Sequence, residues 1–320
     1  MNSPPEVFAY RRGELFAEDV SLAAIAARVG TPCYVYSRSM IEARWRDFDE
    51  AFGGWPHLVC YAVKACPNLG VLSVLARLGS GFDIVSVGEL ERVLRAGGNP
   101  SKMIFSGVGK SQAEMRRALE VGVHCFNVES AAELELLNET ARASKARAQI
   151  ALRVNPDVDP NTHPYIATGL KENKFGVPIA AAAGLYARAQ SLPHLRVAGV
   201  ACHIGSQLVA LSPFVDALER VLVLIDRLRT QGVPIADLDL GGGLGIRYRD
   251  DTPPDPRTYV DTLLKRLRAH RVQGNEMRIL IEPGRALVGE AGVLLTRVEY
   301  LKPGEATSFA VVDAAVNDLL

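Results

Sequence analysis

No apolar run in these 320 residues approaches the roughly 18 that a membrane-spanning helix needs. The first residues, MNSPPEVFAYRRGE, lack the apolar stretch of a secretory signal. Net charge is missing as well. Lys and Arg total 36 and Asp and Glu total 36, which leaves no electrostatic reason to expect nucleic acid or an anionic membrane as partner. Cysteine is sparse: Cys33, Cys60, Cys66, Cys125 and Cys202 form no CxxC pair, and the six histidines show no HxH or HExxH spacing. The cysteines read as reduced thiols of a cytoplasmic protein, and no metal site is predicted. What is present is a balanced globular composition, 48% hydrophobic and 22% charged, which excludes wholesale disorder. The length suits about two domains, or one large barrel plus a satellite.

Short apolar runs alternate with amphipathic stretches along the chain. Strands are predicted at LVCYAVK (58–64), FDIVS (82–86), MIFSG (103–107), CFNVES (125–130), QIALRVN (149–155), VAGVACHIG (197–205), IADLDLGGG (235–243) and RILIEPG (278–284). Between them lie helix signals: glycine stops at Gly79 and Gly98, and a capping box of Ser111 with Glu114. Eight strand–helix units predict a (β/α)8 barrel, an open doubly wound sheet being the rival that periodicity alone leaves standing. TPCYVYS (31–37) before the barrel, and GVLLTRVEYLK with SFAVVDA after it, predict a β-rich domain built from both chain ends, with unpaired edges. The expected division is 1–36 for the N-terminal part of the β domain, 37–285 for the barrel, and 286–320 for the start of the C-terminal β part.

In such a barrel, function sits where strands end. Lys64, Asp83, Arg153, His203, Gly241-Gly242-Gly243 and Glu282 fall there. Lys64 is one of eight lysines against 28 arginines. Partial desolvation would lower its pKa and let its neutral amine attack a carbonyl, though a strand-end lysine can also simply snorkel to solvent. Three bare glycines let backbone N–H groups approach a phosphate, or form a flexible loop. Gly205 and Ser206, and Pro283 and Gly284, could add donors to the same anion. Glu282, buried at the mouth, needs a partner: a pyridinium nitrogen or Arg285 would serve. His203 reads either as a satisfied core histidine or as a flat ring stacked on a planar cofactor. GGGLGI lies too late in the chain, without an acidic partner, to serve as a dinucleotide fingerprint.

Together, YAVKACPN around Lys64, GFDIVSVGEL around Asp83, RVNPDVDPNTHPYIATGLKENKFGV (153–177), HIGSQL from His203, LDLGGGLGI and IEPGR resemble the fold type III pyridoxal-phosphate decarboxylases. KENKFG and HIGSQ point to the diaminopimelate branch. The resemblance implies a carboxy-lyase that turns meso-2,6-diaminopimelate into L-lysine, with pyridoxal 5'-phosphate as cofactor and a homodimeric full-length form. It makes Lys64 the Schiff-base lysine and assigns the cofactor phosphate to Gly205, Ser206, Gly241, Gly242, Gly243, Pro283 and Gly284. His203 would stack on the ring, Asp83 would lie nearby, and Glu282 would keep the ring nitrogen protonated. Arg285 and Arg153 would face the substrate.

In one respect the chain departs from the pattern. Members of that family continue past the segment resembling FAVVDAAVNDLL with substrate-binding Arg and Tyr residues and a Cys-Glu pair, so the resemblance implies a C-terminally truncated member. The alternatives are a decarboxylase for ornithine, arginine or a carboxylated polyamine, or a non-catalytic cofactor-binding homologue. An alanine-racemase-like activity fits the barrel but not EPGR and HIGSQ.

Overall fold

The structure, a computed structural model, describes residues 7–158, 174–270 and 277–319. Eight parallel strands form its centre: β1 (His57–Ala62), β2 (Gly81–Ile84), β3 (Met103–Phe105), β4 (Cys125–Val128), β5 (Ala148–Asn155), β6 (Leu195–Cys202), β7 (Asp237–Asp239) and β8 (Arg278–Ile281). Each pairs with the next, and β8 pairs with β1 through Ile279↔His57 and Ile281↔Val59, so the sheet closes. The doubly wound alternative is thereby excluded. A two-residue strand, Val177–Pro178, runs parallel beside the end of β5.

Closure explains the unbroken apolar runs, because every strand is covered on both faces. Phe82, Ile84, Met103, Phe105, Val128 and Leu152 are all buried. Outer helices follow the strands, and their starts are chemically marked. Asn68, Ser86, Ser111, Ser130 and Asp255 each accept a backbone N–H from the first turn of their helix, and the Ser111–Glu114 capping box forms as predicted. The helix Ser212–Thr230 buries Phe214, Leu218, Val221, Ile225 and Leu228 on one stripe. At the N-terminal mouth a polar plug fills the barrel: Arg278 Nη2 donates to Asp237 Oδ2 at 2.7 Å, and His124 Nε2 lies 3.1 Å from the same oxygen. That face is closed by structure, which leaves the C-terminal mouth for function.

The strands themselves are shorter than the apolar runs suggested. β1 stops at Ala62 and β7 spans only three residues, because the chain turns away to build loops. At the ends, Cys33–Tyr36 pairs antiparallel with Gly292–Leu295, which brings residues before and after the barrel into one sheet. Val298–Lys302 and Phe309–Val312 form a hairpin. The three-stranded sheet over Phe8–Ser21, the helix Leu22–Val29 and the helix Arg38–Ala51 are additions that the pattern reading did not predict. Among the described residues no helix is long and apolar enough to cross a membrane.

Candidate active site

Beyond Ala62 the chain makes one 3-10 turn, Val63–Ala65, so Lys64 stands on a turn at the barrel mouth rather than on a strand. Its Nζ donates to Asp83 Oδ2 at 2.9 Å. The Asp83 side chain is fully buried while Lys64 remains 50% exposed. Asp83 Oδ1 is buried without a hydrogen-bond partner, and Asp83 lines the cleft. The expected lowering of the Lys64 pKa is corrected here. Burial does push the ammonium down, but the carboxylates of Asp83 and Glu282 outweigh it and hold Lys64 above its ordinary value.

Glu282 follows directly on β8 and is buried, 7% exposed. Its partner is not Arg285. Asn127 Nδ2, on β4, donates to Asp239 Oδ2 at 2.9 Å and reaches Glu282 Oε1 at 3.5 Å. Asp239 Oδ1 accepts the Gly241 N–H at 2.9 Å. Burial, with the negative charges of Asp239 and Asp83, pushes Glu282 well above the usual carboxylate range. Burial raises Asp239 too, against hydrogen bonds from Glu282, Asn127 and Gly241. Both acids thus lie above the ordinary carboxylate value, Glu282 the further of the two, because two negative charges are costly in this buried pair. Asp239 and Asn127 escaped the sequence reading. The available signal was Asp239 standing two residues before the glycines, at the mouth end of a buried strand.

His203, after β6, accepts the Gly242 N–H at Nδ1 over 3.1 Å, which assigns its proton to Nε2. Burial first, then the positive charges of Arg153 and Lys64, hold its pKa well below the usual histidine value, so the ring is neutral. The same contact gives the glycine triplet a reason the sequence did not supply. A Cβ on Gly241 would lie 2.5 Å from Cys202 O, one on Gly242 2.2 Å from Glu282 O, and one on Gly243 2.5 Å from Gly205 O. The triplet is wedged between the β6 and β8 loops, and the flexible-loop alternative falls away. Gly242→Ala is expected to lower the unfolding free energy by about 1–3 kcal/mol in urea titrations. Gly184→Ala, on an open helix face with nothing within 4 Å, is the control that leaves stability intact or raises it. Equal unfolding midpoints for Gly242→Ala and the wild type would show that the loops yield.

Two lobes of one cleft share Lys64, His203 and Glu282. The first, of about 470 Å³, is walled by Ser206, Gly243, Gly284 and Arg285. The second, of about 420 Å³, is walled by Asp83, Gly107, Arg153 and Phe175. Gly205, Gly241, Gly242 and Pro283 stand outside both walls and act as packing beneath them. Arg285 hydrogen-bonds the Tyr248 hydroxyl and, at 3.5 Å, Ser206 Oγ. Arg153 pairs with Glu129 Oε1 at 3.2 Å and lies over the Phe175 ring at 4.9 Å. Glu129 also accepts the N–H groups of Gly107 and Gly176, tying three loops together. The segment 159–173, within the RVNPDVDPNTHPYIATGLKENKFGV motif, lies outside the described residues.

The family described as "Pyridoxal-dependent decarboxylase, pyridoxal binding domain" matches residues 38–289. A diaminopimelate decarboxylase of Pseudomonas aeruginosa is 62% identical over 315 residues, covering 98% of this chain and 75% of its own length. The crystal structure of diaminopimelate decarboxylase from Helicobacter pylori complexed with L-lysine is 40% identical with a TM-score of 0.88, covering 92% of this chain and 73% of that one. The enzyme from M. jannaschii, also in complex with L-lysine, is 36% identical with a TM-score of 0.92, over 98% of this chain and 74% of that one. The matches in sequence and in barrel fold are to proteins of one kind, and the chain belongs to the pyridoxal-dependent decarboxylases, in the diaminopimelate decarboxylase family.

Proposed function

We propose that this chain is a carboxy-lyase that releases CO2 from meso-2,6-diaminopimelate and leaves L-lysine, using pyridoxal 5'-phosphate. The observation that carries the reading is the convergence of Lys64, His203 and the buried Glu282 carboxyl on both lobes of one cleft. The choice of substrate is supported by the names of the relatives and by the L-lysine in two of the structures.

The cleft suits that cofactor. Asp83 Oδ1 is an orphaned acceptor, and Ser206, Gly243 and Gly284 line a lobe whose loops pack so closely that a Cβ on Gly243 would lie 2.5 Å from Gly205 O. Lys64 would hold the aldehyde carbon, His203 would lie against the ring face, and Glu282 would meet the ring nitrogen. Ser206, Gly243 and Gly284, supported by Gly205, Gly241, Gly242 and Pro283, would receive the phosphate. Bound there, pyridoxal phosphate supplies an electron-poor ring that accepts the electron pair left when the C–CO2 bond breaks.

The chain's own contribution is electrostatic and positional. Glu282 sets a buried carboxyl at a fixed point of the barrel, where burial strengthens its electrostatic effect on a bound group. Asp239 and Asn127 hold that carboxyl in place. Asp83 orients the Lys64 amine by its 2.9 Å contact. Arg285, half-buried on the wall of the first lobe, and Arg153, on the second, would face the substrate carboxylates. Arg153 does so with its charge already balanced by Glu129.

Glu282→Gln keeps the shape and loses the titratable proton. Decarboxylation is expected to fall about 10²–10³-fold, with cofactor binding retained. An unchanged rate would move the nitrogen's partner to another group. The function itself is tested by CO2 release from diaminopimelate, ornithine, arginine and carboxyspermidine in parallel. Faster turnover of any of the last three would overturn the substrate assignment, and cofactor uptake without CO2 release from any would overturn the activity.

A further inference from the structure

HIGSQL supplies one residue with no role in the mechanism above, Gln207, and we propose that it is the positioning residue of the phosphate lobe. Its side-chain amide fastens the loop after β6 to the loop after β7, and so fixes the atoms that meet the anion. The inference rests on the reading of that lobe as the cofactor's phosphate site.

Gln207 takes a left-handed backbone conformation, φ 57°, which a non-glycine residue adopts only at a steric cost. In that conformation its amide matches one peptide unit both ways. Nε2 donates to Ile246 O at 2.6 Å, and Oε1 accepts the Ile246 N–H at 3.1 Å. The next residue continues the seam: the Leu208 N–H donates to Gly243 O at 2.9 Å, and the Gly245 N–H donates to Leu208 O at 3.0 Å. Leu208 and Leu244 form an isolated parallel bridge between the two loops. The fit leaves no slack, since a Cβ on Gly243 would lie 2.5 Å from Gly205 O and one on Gly245 3.2 Å from Gln207 Cδ. Gln207 itself is absent from both cavity walls, whereas its neighbour Ser206 and the far side of the seam, Gly243 and Leu244, form the wall of the first lobe. It therefore acts through them. Only a carboxamide of this length offers both donor and acceptor; a leucine offers neither, and a glutamate lacks the donor and adds a negative charge beside an anion site.

The test uses pyridoxal phosphate and pyridoxal, which differ only in the phosphate. Both are titrated, by their visible absorbance on Lys64, into the wild type, Gln207→Leu and Gln207→Glu. Gln207→Leu should weaken pyridoxal phosphate binding about ten- to hundredfold through the loss of two hydrogen bonds, and leave pyridoxal within about twofold. Gln207→Glu should weaken it at least as much. Equal losses for both ligands, or no loss for pyridoxal phosphate, would overturn the role of Gln207. A wild-type chain that binds pyridoxal as tightly as pyridoxal phosphate would instead overturn the assignment of the lobe, and that outcome is read before any variant is made.

Discussion

Lys64→Ala is expected to abolish the borohydride-fixed adduct with pyridoxal phosphate and to lower decarboxylation by more than about 10³-fold, since the covalent anchor and a proton-transfer group vanish together. Among the described residues Lys64 is the only lysine on either wall of the cleft. Lys110 is sealed in the interior, and Lys102 donates to Gly79 O at 2.8 Å on another part of the surface. The ion pair with Asp83 adds a pH signature. Because carboxylates hold the Lys64 ammonium above its ordinary value, the fraction of free amine grows as pH rises. Adduct formation in the wild type should accelerate with pH up to that raised value. Peptide mapping is decisive: an adduct on Lys171 or Lys174, or turnover in Lys64→Ala within tenfold of the wild type, would sink the assignment.

Lys110→Met is expected to lower the unfolding free energy by about 3–5 kcal/mol, because it orphans a buried charge. Lys110 Nζ is fully enclosed and donates to Gly107 O at 2.7 Å, Asn127 O at 2.8 Å and Glu133 Oε1 at 2.7 Å. Methionine preserves the stem but leaves two carbonyls and a carboxylate without their cation. Burial already pushes Glu133 above the usual carboxylate range, and losing Lys110 removes the strongest opposing influence. The folded variant would then bind more protons than its unfolded chain, so its stability falls as pH rises. Urea unfolding at pH 5 and pH 8 should show the larger deficit at pH 8. The double variant Lys110→Met with Glu133→Gln should recover much of the loss. A deficit under 1 kcal/mol, or one larger at pH 5, would show that Glu133 finds another partner.

How much of this the sequence disclosed depended on whether a residue's role was local. Strand ends are local features, and the apolar runs stopping near Lys64, Asp83, His203 and Glu282 delivered all four to one mouth. Caps are local as well, and the Ser111–Glu114 box formed as read. Closure is not local, because the β8–β1 pairing joins opposite ends of the barrel sequence. Nor are the buried polar partners: Asn127 with Asp239, Lys110 with Glu133, and Glu129 with Arg153 each join different strands, loops or helices. In sequence Lys110, Glu129 and Glu133 look like any polar position on a helix or loop, and nothing in the pattern pairs Asn127 with Asp239 or Arg153 with Glu129. The Lys64 pKa failed for the same reason, since desolvation can be guessed from a strand end while a carboxylate 2.9 Å away cannot. The helix Arg38–Ala51 was obscured by its charge, although Met40, Ile41, Trp45 and Phe48 do form its buried stripe.

The pairing of β8 with β1 also has a consequence for synthesis. A ribosome releases His57–Ala62 long before it reaches Arg278, and throughout that interval β1 offers an open backbone edge, as does each newest strand on the growing side. Cys33–Tyr36 waits even longer for Gly292–Leu295. Such long-range pairings form slowly, and the half-made sheet is the species most exposed to wrong partners. The interval closes only when translation has crossed the stretch from Asp239 to Ile281, and until then the nascent edges need shielding. The stability of the finished barrel has no bearing on that interval.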